Sequence, residues 1–313
     1  MDDDNWTKIW RRTLSAIWWF RLPIVPYALY VGLFAAIIVV CSVIFRFFFP
    51  GPHHEIIFFV IDNFMVASSA VLTMWMLFRF AEHRKMKRSG FDTRFAVRDM
   101  LVGFVLGILL VSSVVGVLWF IGVYEFVKLT PGYNPVPFFF VYLFAAITEE
   151  VIFRGFVFQT AEIRLGTKWA FVITCLLFGL AHMSNSIKGI TAVDQMWGCV
   201  CLMFEAGILL NASFLVRRTL WLPIGLHWAW NFFEGPIYGM SVSGTDASGL
   251  IQAQLVGDKL LSGGSFGPEA SVPALGLCTL AGFGMLYYVR ARGREREEAK
   301  KMSLENMMKK PPS

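Results

Sequence analysis

Residues 145–155 read Ala-Ala-Ile-Thr-Glu-Glu-Val-Ile-Phe-Arg-Gly, which sets Glu149, Glu150 and Arg154 inside an otherwise apolar run. The flanking residues 135–160 are long and apolar enough to cross a bilayer, which takes about 20 residues. Ionisable groups at membrane depth are costly and rare, so they mark a working site. The reading of this stretch as a transmembrane helix decides the fold class.

The rest of the chain agrees. Of 313 residues, 56% are hydrophobic and only 16% charged. A soluble domain would carry about a quarter charged residues. Eight apolar stretches are read as spans: 23–49, 56–80, 99–127, 135–160, 169–183, 192–216, 220–234 and 272–289. The expected fold is an all-α membrane protein of about eight transmembrane helices. It divides into a three-helix region (1–134), a catalytic core (135–235), a loop with the last span (236–289) and a charged tail (290–313). The loop at 235–270 is Gly- and Ser-rich and is expected to be flexible.

The net charge of +6 could suggest nucleic acid. The basic residues instead flank the spans, which is the pattern that sets membrane orientation. Threading eight spans puts 23 of the 28 Lys/Arg on one side and only Lys128, Lys188 and Lys259 on the other. Arg46 and Arg154 lie within spans. Both termini are therefore expected in the cytoplasm, with the lipid bilayer as a partner and no nucleic acid. The start of the chain has basic residues (Lys8, Arg11, Arg12), but the apolar run that follows is too long for a cleavable signal peptide. All five cysteines fall in predicted spans, so no disulfide framework is implied.

Three short motifs share a helical spacing. Glu149, Glu150 and Arg154 lie on the fourth span, Phe178 and His182 on the fifth, His227 and Asn231 on the seventh. Residues four apart share a helix face, so Glu150 can pair with Arg154, and His227 projects with Asn231. Neighbours on a helix are rotated by ~100°, which lets Glu149 face a cavity while Glu150 is held. A desolvated carboxylate suits a general base acting on water. Imidazoles can share a proton, bind metal or polarise a carbonyl. An Asn amide can stabilise an oxyanion without adding charge. Glu205 and Asn211 on the sixth span are read first as interhelical hydrogen-bonding groups, with Glu205 a neighbour of the cavity. Gly263 to Gly267 spell the G-x-S-x-G pattern of hydrolases, but lie in a loop rather than a strand–helix elbow.

Glu-Glu-x-x-x-Arg, Phe-x-x-x-His and His-x-x-x-Asn, in this order on separate spans, resemble the CPBP family over roughly 135–235. That family comprises type II CAAX prenyl endopeptidases and bacterial relatives, including bacteriocin-processing and immunity proteins. The wording here is closer to the bacterial branch, which implies a bacterial cytoplasmic membrane. The resemblance implies an intramembrane endopeptidase with a water-filled cavity open toward the cytoplasm. The positions matching Glu149 and His182 would activate water, and those matching His227 and Asn231 would hold the oxyanion. Glu150 joins the catalytic set, with Arg154 and Phe178 in support. Zinc held by Glu149, His182 and His227 stays open beside a metal-free site. The alternatives are a non-catalytic immunity or scaffold member, or a proton-coupled transporter.

Overall fold

The computed structural model describes residues 24–48, 56–81, 86–185, 190–245 and 248–308. The N-terminal basic and Trp residues, the His53–His54 turn, Lys188 and the last five residues of the tail lie outside these. The elements are helices α1 (Ile24–Phe48), α2 (Ile56–Met76) and α3 (Ala96–Phe120), strand β1 (Tyr124–Leu129), and helices α4 (Val136–Glu150) and α5 (Gln159–Leu165). Then follow α6 (Thr167–Ala181), α7 (Ala192–Arg217), α8 (Trp221–Phe232), β2 (Ile251–Leu255), α9 (Lys259–Ser262) and α10 (Val272–Met308). Seven helical stretches among the described residues are long and apolar enough to cross a membrane. The protein is an all-α, multi-pass membrane protein.

The stretch expected as the seventh span differs. α8 and the π-turns that extend it to Ile237 are shorter than a full crossing. It is nearly all buried, so its length is set by protein neighbours rather than by lipid. Its closest neighbour is α3. A Cβ on Gly103 would lie 2.2 Å from the Leu222 carbonyl, and one on Gly225 2.0 Å from the Met100 carbonyl. Small residues on both sides let the two backbones touch, the usual basis of helix association in lipid.

α3 ends seven residues before the expected boundary of its span. Gly122 takes a positive φ of 73° and its N–H closes the helix on Trp119 O. The chain then forms β1, which pairs antiparallel with β2, Tyr124 opposite Leu255 and Leu129 opposite Ile251. Glu125 and Lys128 among aromatic and branched residues suit an interfacial strand better than a span. The loop at 235–270 is likewise structured rather than flexible. It holds β2, α9 and two 3-10 turns, and buries Phe266 against α7. Gly264–Phe266 is one of those turns, so the G-x-S-x-G pattern has no hydrolase elbow.

α4 and α5 form one 30-residue stretch, Val136–Leu165, joined through π-turns at Val151–Phe158. Seven of those eight residues are buried. Such wide turns inside a helix are frequent at functional sites. Here they follow directly on the Glu149–Glu150 pair.

Candidate active site

Arg154 is fully buried, yet every face of its guanidinium is met. Nη1 donates to Glu150 Oε1 at 3.0 Å, Nε to Asn211 Oδ1 at 3.0 Å and Nη2 to Ala206 O at 3.3 Å. The Phe178 ring lies beneath it, 4.5 Å from Cζ. Asn211 is itself held by Nδ2–H bonds to Phe171 O and Cys175 Sγ. An unmatched buried charge would cost several kcal/mol, and this network removes that penalty. Its product is a fixed Glu150.

Glu150 Oε1 also lies 2.9 Å from His227 Nδ1. The carboxylate therefore takes the Nδ1–H and turns Nε2 of His227 toward the cavity. His182 is fixed in the same sense: Nδ1 lies 2.8 Å from Phe178 O, a carbonyl that can only accept. A backbone or carboxylate acceptor on Nδ1 assigns the tautomer of the other nitrogen. Both imidazoles thus present Nε2 to one point, and Glu149 Oε2 occupies it. Glu149 Oε2 stands 3.8 Å from His227 Nε2 and 4.0 Å from His182 Nε2. These gaps are too long for direct hydrogen bonds. Glu149 Oε2 accordingly has no hydrogen-bond partner.

The three groups open on a cavity of about 220 Å³, with Asn231 and Phe178 in the same wall. One liquid water takes ~30 Å³, so there is room for several, or for a peptide segment. The structure brings together Glu149, His182, His227, Asn231 and Phe178 around this space. Glu150 and Arg154 stand behind His227 and do not line it. Residues 131–233 match the family model described as Rce1-like, type II CAAX prenyl endopeptidase. The match covers about one third of the chain and contains all seven of these residues. It implies that the protein is a protease. No curated protein and no solved structure matches the chain.

The Rce1-like segment does not contain the whole cavity. Val242, Ser243, Thr245 and Glu269, from the loop after α8, form another wall. Glu269 Oε2 accepts from both N and Oγ of Ser243 at 2.7 Å, which ties the loop to itself. Asn185 Nδ2 donates to Ser243 O, and Gln195 Nε2 to His182 O, so the loop and the His182 turn are held to each other and to α7. Tyr142, Glu205 and Trp230 also line the cavity. Sequence reasoning reached Glu205 but passed over Ser243, Asn185, Tyr142 and Glu269. A Glu in a Gly- and Ser-rich loop carries no helical spacing to betray it.

Zinc can be tested against the donor set. Two ligands of a tetrahedral zinc lie about 3.4 Å apart, from bonds of 2.0–2.1 Å. Glu149 stands farther than that from both imidazoles. Among the described residues no group of three His, Cys, Asp or Glu is arranged to hold a metal ion. As the side chains stand, the donors do not fit zinc.

Proposed function

We propose that the protein is a glutamate-type intramembrane endopeptidase that hydrolyses an amide in a membrane-associated peptide or protein. The observation that carries this reading is the convergence of Glu149 Oε2 with the Nε2 atoms of His182 and His227 at 3.8–4.0 Å around a cavity. A water between them loses a proton to Glu149, and its oxygen bonds to the carbonyl carbon of the substrate. The carbonyl oxygen becomes an oxyanion. Asn231 Nδ2–H and, when the ring carries both protons, His227 Nε2–H donate to it. Preorganised donors of this kind are worth ~10²–10³ in rate each. The C–N bond then breaks, and the departing amine takes the proton from Glu149, with His182 holding the water and sharing that proton. Glu150 and Arg154 act through His227, as positioning residues.

Orientation belongs to the same proposal. The basic residues Arg94, Arg98, Arg164, Lys168, Arg217 and Arg218 gather at one end of the bundle. There Arg218 pairs with Glu162 and Arg217 lies 3.9 Å from Asp99. From the level of Glu149 and His227 the cavity runs the other way, past Ala145 and Tyr142 on α4 and Asn231 on α8 to Asn185 and Thr245. With the basic end in the cytoplasm, the cavity faces outward. This reading differs from the cytoplasmic opening that the family resemblance implies, and the labelling experiment below separates the two. Among the described residues, those before 135 are then a membrane frame, and those of the loop after α8 a roof, around the core at 135–235.

Purified protein in nanodiscs should cut a membrane-anchored peptide, and Glu149→Gln should abolish the cut while leaving the protein monodisperse. Normal cleavage by that variant would overturn the reading. Cysteines placed at Thr245 and Arg94 should label from outside and inside respectively in intact cells.

A further inference from the structure

Most hydroxyls on the spanning helices are engaged. Ser69, Thr73, Thr148 and Thr174 each donate to the carbonyl four residues back, and Tyr30 donates to Ala70 O. A membrane interior offers no water to a polar group, so the protein must supply the partner. Thr160 and Thr279 lack one but are sealed in. Tyr142 is different. Among the described residues no hydrogen bond reaches its hydroxyl, yet the oxygen is not sealed off, and the residue lines the cavity. Asn231 on α8 has the same character: it lines the space, and its amide makes no hydrogen bond among the described residues.

The place of Tyr142 follows from helical spacing. Seven residues separate it from Glu149, two turns less ~20°, so both project from one face of α4. Its ring is held, packed with Phe104, Phe139 and Phe233 around Trp228 and Phe232. Phe139 O accepts from Trp228 Nε1 at 2.8 Å, which pins this half of α4 to α8. Tyr133, Glu234 and Glu269 act on the hydroxyl electrostatically without bonding to it. Glu269 already accepts both Ser243 donors, and Glu234 accepts from Trp230 Nε1. A fixed ring with a free donor thus stands ~10 Å beyond Glu149, at ~1.5 Å per residue. An extended peptide advances ~3.3 Å per residue, so that gap spans about three residues.

We propose that Tyr142 is a substrate-binding residue whose hydroxyl donates to a backbone carbonyl of an extended peptide, two or three residues from the scissile amide. This rests on the protease reading and says how the same site holds its substrate. A peptide drawn into the cavity gives up its own helical or water hydrogen bonds, and a carbonyl left unmatched there is costly. Tyr142 meets that need whatever the substrate's side chains are. Asn231, nearer the reacting atoms, is left free for the oxyanion.

The test uses the full chain in nanodiscs and one membrane-anchored peptide. Each of the three amides on either side of the cut is replaced in turn by an ester, whose carbonyl is a weaker acceptor. Cleavage is measured for the wild type and Tyr142→Phe. Binding of the same peptides to Glu149→Gln, with and without Tyr142→Phe, is followed by fluorescence anisotropy. Tyr142→Phe should raise KM about three- to tenfold with kcat unchanged, the size of one neutral hydrogen bond. At one position the ester should cost the wild type a similar factor and cost Tyr142→Phe nothing more. A variant that matches the wild type, or that loses kcat alone, would overturn the proposal and leave the protease reading intact. Peptides that are never cut, yet bind Glu149→Gln less tightly once the hydroxyl or that amide is removed, would sink the protease reading and keep the contact. If Tyr142→Phe does not fold, the ester series on the wild type decides: indifference at every position overturns the proposal.

Discussion

Helices α1 and α7 are of nearly equal length, and α1 is the more apolar. Yet of their most apolar stretches 6% of residues are buried by protein in α1, against 61% in α7. α1 presents Val31, Val39, Val40 and Val43 outward, where only lipid can cover them. α7 places Gly198, Cys199, Gly207, Ala212 and Ser213 against its neighbours and carries Glu205 and Asn211 inward. Apolarity makes a helix cross the membrane; small and polar residues make it belong to a core. In lipid there is no hydrophobic gain from covering one Val with another, so close approach and hydrogen bonds decide where helices gather.

Substitutions at the two kinds of site should differ sharply. The largest effect is expected at Glu149 and His182: Glu149→Gln or His182→Ala should lower kcat by ~10³-fold or more, as removal of a general base does. Cleavage of an anchored peptide checks this, with unchanged elution in detergent. Arg154→Ala should cost about 3–5 kcal/mol of stability, because it strands Glu150 and Asn211 in a dry interior. A lowered unfolding midpoint would register it; an unchanged one would mean that the buried network is idle. Gly225→Val should cost about 1–3 kcal/mol by forcing α8 off α3. In contrast, Val39→Ala or Val43→Ala on α1 should move the midpoint by no more than about 0.5 kcal/mol. Were that pair as damaging as Gly225→Val, the contrast between lipid-facing and core helices would fail. Glu150→Gln tests the site itself. It should reduce kcat with little change in KM, since it acts through the tautomer and aim of His227 rather than on substrate.

Much of the fold could be read from hydropathy and turns, because each span is a local property of about 20 residues. Where non-local contacts decide, hydropathy misleads. The last residues of the expected third span hold a strand because β2, more than 120 residues later, offers a partner. α8 reads as a short span because its apolar faces are covered by α3 and α4. The candidate site was legible where its residues recur at i and i+4, as in Glu150 with Arg154, Phe178 with His182, and His227 with Asn231. Asn211, which holds the Arg154 guanidinium, shares no motif with it and is separated by 57 residues. Glu269 and Ser243 were hidden for a different reason. Their place depends on a loop folding back over the cavity, and polar loop composition alone gives no sign of that.

The wide turns at Val151–Phe158 hold one more consequence. They work as a length adjuster, taking up an extra residue between the carboxylate pair and the last third of the same rod. Deleting a single residue after Arg154, between Gly155 and Phe158, would tighten the rod and swing everything after it by ~100°. Gln159 would lose Ser89 O, and Phe158 its seat on Phe214. Glu149, anchored upstream, would stay where it is. A chain shortened by one residue at this point would therefore keep the candidate site and lose the floor beneath it.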